Sequence, residues 1–176
     1  MMTAQEMIQL LNLKPLPEEG GYYRETYRSE DSGVATKASA TGGIIPKRIA
    51  STAIYYLVTP ESFSALHRVK SDEIFHFYAG DAVEMLQINQ SGEAQSFTIG
   101  SNFANGEAPQ IVVEKGIWQG TRLKLGGCWA LMGTTVAPGF EFDDFESGDR
   151  AKMLEMFPQH REGILRFTRE LNEKPH

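Results

Sequence analysis

The sequence predicts an all-β protein, an antiparallel sandwich or barrel closed by short helices at both ends. Three observations carry this. Apolar-alternating runs of five to nine residues fill positions 20–145, turn chemistry separates nearly all of them, and no helical periodicity interrupts them. The 176 residues suit one domain, 1–176, long enough to bury a core without disulfides or metal.

The chain opens on a helix over 3–12. Thr3 with Glu6 three residues on makes a capping box, and Met7, Ile8, Leu10 and Leu11 give an apolar face. Pro15, Pro17 and Gly20-Gly21 end it. The strands then read Y-Y-R-E-T-Y-R from Tyr22, S-T-A-I-Y-Y-L-V from Ser51, F-S-A-L-H-R from Phe63 and E-I-F-H-F-Y from Glu73. They continue as A-V-E-M-L-Q-I from Ala82, Q-S-F-T-I from Gln95, Q-I-V-V-E from Gln110, W-Q-G-T-R-L from Trp118 and C-W-A-L-M-G-T-T-V from Cys128. Turns fall at Ser29–Gly33, Thr59-Pro60, Ala79–Asp81, Asn89–Gly92, Lys115-Gly116 and Gly126-Gly127. Residues 31–47, rich in Ser, Thr, Ala and Gly, read as a loop at the rim of a pocket. Helical patterning returns over 148–172: Asp149 caps a helix carrying Met153, Leu154, Met156 and Phe157, Pro158 breaks it, and a second helix carries Ile164, Leu165, Phe167 and Leu171.

Composition narrows the partners. A net charge of -6, with no cluster of Lys and Arg, argues against nucleic acid and anionic membrane. Cys128 is the single cysteine, so no intrachain disulfide can form and a reducing compartment fits. The start, M-M-T-A-Q-E-M-I-Q-L-L, lacks a basic region and is too short to span a membrane. These features point to the cytoplasm.

Chemistry concentrates between Phe63 and Gly80. Period-two alternation puts Phe63, Ala65 and His67 on one face of their strand, and Glu73, Phe75 and Phe77 on one face of the next. If Phe75 and Phe77 point into the core, Glu73 does too, and a buried carboxylate requires a partner. His67 is the nearest, across the connection 69–72. A glutamate beside an imidazole raises its pKa and fixes its tautomer, which makes a general base or a ligand clamp. The plainer alternative is a structural pair at a sheet edge. His76 falls on the opposite face by parity, where it serves an interface unless a bulge re-aims it into the pocket. Gln119 shares its face with Thr121 and Leu123. Trp118 reads as core or interface, Cys128 as an inert buried thiol, and His160 and His176 as solvated residues. No phosphate loop, nucleophile elbow or Cys/His zinc spacing occurs, and Gly20-Gly21 precedes a strand where a dinucleotide fingerprint precedes a helix.

These residues resemble the two motifs of the cupins. The first is H-x-H, three or four residues, E, six residues, G; the second is P-x-G, two residues, H. His67, Glu73 and Gly80 match the first, with Val69 at the place of its second histidine. In the second, Gly116 matches, Glu114 stands at the proline and Gln119 at the histidine. G-G-Y-Y-R-E-T-Y-R-S from Gly20, H-R-V-K-S-D-E-I-F-H-F-Y from His67 and V-A-P-G-F-E-F-D-D-F from Val136 are similar to a cupin branch of uncharacterised function, of the Cupin-5 type. The resemblance implies a double-stranded β-helix, a jelly-roll barrel of the deoxysugar-epimerase type, and a homodimer. Metal cupins supply three histidines and a glutamate to the ion. Val69 cannot ligate and the Gln119 amide is a weak ligand, so no metal and no cofactor are expected here.

The expectation is a metal-free cupin that binds a small polar molecule, such as a sugar or nucleotide-sugar, inside the barrel. His67 would be the base and Glu73 its orienting partner, with Gln119, His76, Phe75 and Phe77 around the ligand. Tyr23, Tyr56 or Tyr78 would serve as acid in an epimerase-like reaction. A non-catalytic sensing module and a metal-dependent oxygenase or isomerase are the alternatives.

Overall fold

The computed structural model describes residues 2–30 and 48–170. The expected pocket-rim loop at 31–47, Leu171 and His176 lie outside the described residues. Two antiparallel sheets make up the body. In chain order the strands are β1 (Lys14–Pro15), β2 (Tyr22–Arg28), β3 (Thr52–Val58), β4 (Ser64–Arg68), β5 (Asp72–Gly80) and β6 (Val83–Ile88). They continue with β7 (Ala94–Ile99), β8 (Gln110–Val113), β9 (Trp118–Leu123), β10 (Ala130–Ala137) and β11 (Glu146–Ser147). One sheet runs β1-β2-β3-β10-β5-β8 and the other β11-β4-β9-β6-β7. From β3 onward consecutive strands, β6 and β7 apart, lie in different sheets, as in a jelly roll, and the inner faces of the two sheets meet around one core. Tyr56, Phe75, Met85, Ile99 and Met132 form its centre.

Short helices cover the outer faces. The helix α1 (Ala4–Leu10) begins at the expected capping box, with Thr3 accepting from the Glu6 amide at 3.2 Å and the Glu6 carboxylate accepting from the Thr3 amide at 2.7 Å. It lays Met7 and Ile8 on Leu57, Leu131 and Tyr55. The helix α2 (Arg150–Met156) is capped by Asp149, and α3 (Arg161–Phe167) comes after a single 3-10 turn that Pro158 begins. Met153, Phe157, Ile164 and Phe167 from this pair bury Leu66, Leu86, Ile88 and Trp118. Trp118 is therefore core, as the sequence suggests.

Expectations for β4, Cys128 and His160 change. The strands carrying His67 and Glu73, β4 and β5, belong to opposite sheets, and the two residues face each other across the interior. The β4 strand also breaks its alternation. A register shift between Ser64 and His67 sets them opposite Thr121 and Gln119, so Ser64 joins His67 on the inner face. Cys128 is exposed, because it precedes the strand in a turn where Asp81 accepts its amide at 2.7 Å. His160 is half-buried and bonded to the Gly92 carbonyl at 2.7 Å.

Candidate functional site

The site begins in the turn before β2. Glu18 has φ 63°, Gly20 φ 92° and Gly21 φ 72°, a run of left-handed conformations that folds the chain sharply back. A side chain at Gly21 would reach within 2.7 Å of the Tyr56 ring, and one at Gly20 would strike Arg169 and the Phe63 carbonyl. Tyr56 donates its hydroxyl to the Gly20 carbonyl at 2.8 Å, Gly21 donates its amide to Ser62 Oγ at 2.9 Å, and Arg169 donates to the Glu19 carbonyl at 2.8 Å. These bonds hang the Glu19 side chain inward, where it accepts from Ser64 Oγ at 2.8 Å.

The floor is a chain of buried polar groups. His67 and Gln119 are paired across β4 and β9, 2% and 1% exposed, and Glu73 enters from β5 at 7%. His67 Nδ1 donates to the Ala65 carbonyl at 2.8 Å, which leaves the Nε2 lone pair to accept from Gln119 Nε2 at 2.7 Å. The same amide nitrogen donates to Glu73 Oε2 at 3.2 Å. Reversing the amide would set its oxygen against the Glu73 carboxylate, so the nitrogen is the atom turned toward both partners. Glu19 Oε2 lies 3.8 Å from His67 Nε2. Phe145 stacks on the imidazole, centroids 5.1 Å apart.

Glu73 carries the marked perturbation. Burial raises its pKa from 4.5 to about 7, opposed by His67 and reinforced by the Glu19 charge, while hydrogen bonds from Thr134 and Gln119 lower it. Burial, with Glu19 nearby, also lifts the Tyr56 phenol well above its ordinary value.

Glu19 and Glu73 both line a cavity of about 400 Å³ between the sheets. Tyr23, Ile54 and Thr134 form one side; Phe140, Phe142 and Phe145 form another, from the segment after β10. The volume suits a small metabolite. The sequence-expected residues divide. His67, Glu73 and Gln119 are brought together. His76 is not: it lies on the outer face of the sheet, bonded to Thr135 and Gln110 at 3.2 Å and stacked on Tyr78. Phe75 and Phe77 point inward but are spent in core packing, Phe75 fully buried. Of the three tyrosines Tyr23 faces the cavity; Tyr56 is locked on the Gly20 turn and Tyr78 is half-exposed outside. Glu19 and the three phenylalanines escape residue-level reading because they sit in turns without periodicity. The signal for the three phenylalanines is the stretch beginning at Val136, which contains them; Glu19 stands just before the stretch beginning at Gly20.

A metal ion of the cupin kind does not fit this donor set. The Val69 side chain is hydrocarbon and buried, and the His67 lone pair that would bind an ion is already capped by an amide hydrogen. Among the described residues no three His, Cys, Asp or Glu side chains gather as metal ligands do.

Comparison with known proteins agrees with this architecture. The family described as Cupin superfamily (DUF985) matches residues 5–148. The uncharacterised protein YML079W of Saccharomyces cerevisiae is 31% identical over 133 residues, which are 72% of this chain and 66% of the yeast protein, just under two thirds of its length. The crystal structure of protein SO0799 from Shewanella oneidensis is 34% identical, with a TM-score of 0.84 over all of both chains. Oxalate decarboxylase from Bacillus subtilis shares the fold alone, at 15% identity and a TM-score of 0.52 over 89% of this chain and 37% of that one.

Proposed function

The chain belongs to the DUF985 family of the cupin superfamily, and on that premise we propose that it binds a small polar molecule in the cavity between its sheets, without a metal. The observation that carries this reading is the Glu73 carboxyl, buried on the floor of a 400 Å³ cavity and tied through Gln119 to His67. Folding a carboxylate into such a place opposes stability, and a ligand that meets it offsets the cost.

Glu73 is the group suited to moving a proton, with a pKa of about 7 that lets it give and take one near neutrality. His67 serves instead to position it, since both ring nitrogens are bonded within the protein. With Tyr23 as the second acid, these residues suffice for epimerase-like or isomerase-like proton transfer at a carbon of a sugar-like ligand; a sensing module uses the same pocket without turnover. A thermal-shift screen against sugars, nucleotide-sugars and organic acids tests the reading. A compound that raises the melting temperature of the wild type and not of Glu73→Gln supports it, and turnover of that compound separates enzyme from sensor. A screen in which every hit acts equally on both proteins removes Glu73 from the site. Stoichiometric Fe, Mn, Ni or Zn in purified protein, lost in His67→Ala, defeats the metal-free reading.

The protein is further read as a cytoplasmic homodimer that engages neither nucleic acid nor membrane. The net charge of -6 and the lone cysteine support the location and the excluded partners. No helix among the described residues is long and apolar enough to cross a membrane. The apolar outer face of β2 and β3 is partly the seat of α1, so support for pairing comes from Tyr78 and Val112, exposed on β5 and β8 of the same sheet.

A further inference from the structure

The hydrogen-bond polarity of the cavity floor selects among ligand classes. With Nε2 of His67 accepting from Gln119, the Nδ1 hydrogen goes to the Ala65 carbonyl, and the two hydrogens of the Gln119 amide go to His67 and Glu73. The Ser64 hydroxyl hydrogen goes to Glu19, and that of Thr134 to Glu73. Among the groups facing the cavity, the Glu19 and Glu73 carboxylates offer lone pairs, and the Thr121 hydroxyl opposite Ser64 is buried without a partner among the described residues. Gln119 Oε1 is a further acceptor, buried and without a partner among the described residues.

The cations along the same cavity are engaged elsewhere. Arg28 is held by Glu25 at 2.7 Å and by Glu141 at 3.2 Å. Arg24 lies over the Tyr55 ring on the outer face, and the Lys14 ammonium sits over the Tyr23 ring, 5.0 Å from its centre. The hydrogen bonds these two carboxylates accept come from Ser64, Gln119 and Thr134, all neutral donors, beside a wall of phenylalanines. Buried carboxylates bonded by neutral donors, next to aromatic faces, are surroundings in which an ammonium group is held well.

We propose that the inner end of the cavity binds a small organic cation, a protonated amine whose N–H groups donate to Glu19 and Glu73 while its apolar body packs on Phe140, Phe142 and Phe145. The proposal rests on the ligand-binding reading above and narrows it: at the inner end of the cavity an anionic ligand would meet two like charges.

Calorimetric titration with two matched series tests it: benzylamine, benzyl alcohol and benzoate, then butylamine, butanol and butyrate. At about pH 8 Glu73 is ionised. Each amine should bind the wild type about tenfold or more tighter than its alcohol, as a charge-assisted bond does, and the carboxylates should not bind measurably. Glu73→Gln and Glu19→Gln should each erase the margin of amine over alcohol. A carboxylate that binds best, or an amine preference that survives both substitutions, overturns the proposal. The ranking on wild type decides even if a variant fails to fold. An anion or neutral sugar that depends on Glu73 would leave the binding reading standing and defeat this one; silence of both series and of the wider screen defeats both.

Discussion

Glu73 makes the stability of the fold depend on pH in an unusual direction. Its folded pKa of about 7 exceeds the ordinary 4.5, so between those values the native state holds a proton that the unfolded chain has released. Stability contributed by this group is full below 4.5, falls as pH rises, and is lost above about 7. The stability difference, wild type minus Glu73→Gln, should therefore shrink by roughly 3 kcal/mol between about pH 4.5 and pH 8, measured by urea unfolding at each pH. A difference that stays flat, or that grows with pH, would show that Glu73 is not desolvated. The groups facing it from the other elements are His67 on β4, Gln119 on β9, Thr134 on β10 and Glu19 before β2, so a variant at any of these shifts the window. Gln119 sets the imidazole in turn. Nitrogen chemical shifts of His67 should report hydrogen on Nδ1, and Gln119→Glu, which replaces the donor at Nε2 by an acceptor, should place a hydrogen on Nε2.

At the scale of elements, the turn before β2 is the piece on which the cavity depends. Gly21→Ala would force a side chain into φ 72° and against the Tyr56 ring. It should destabilise the protein by about 2–3 kcal/mol and weaken any ligand that uses Glu19, read by thermal unfolding and titration. Asp149→Ala, which removes the α2 cap far from the cavity, should cost about 1 kcal/mol and leave binding unchanged. The nine longer strands are legible in the sequence because hydrophobic alternation and turn residues both mark them. The two-residue strands β1 and β11 are not, since two residues carry no period. The inward placement of Glu73 comes from its parity with Phe75, and the outward placement of His76 from the same rule. Ser64 eludes that rule because a bulge adds a residue to one strand and reverses the facing of its neighbours, a shift set by pairing and invisible in composition. The role of Glu19 is hidden for a different reason. In the sequence Gly20-Gly21 marks only the end of a helix, and it is the three-dimensional packing of Tyr56, Ser62 and Arg169 on that turn that aims the carboxylate.

At the scale of the molecule, two sheets separate the roles of their faces. Inner residues build the core and the cavity, α1 and the α2-α3 pair cover much of the outside, and Tyr78, His76 and Val112 remain on open sheet surface. Light scattering at micromolar concentration should give the mass of two chains, and Tyr78→Lys should halve it if that surface is the interface. A wild-type monomer would leave the pocket argument intact and remove the dimer. Everything proposed for ligand and chemistry depends on the state of one carboxyl group beside His67 and Gln119. A carbon-detected NMR titration of Glu73 reads that state directly: a midpoint near 7 in the wild type is expected, and a midpoint near 4.5, the value of a solvated glutamate, would contradict the account.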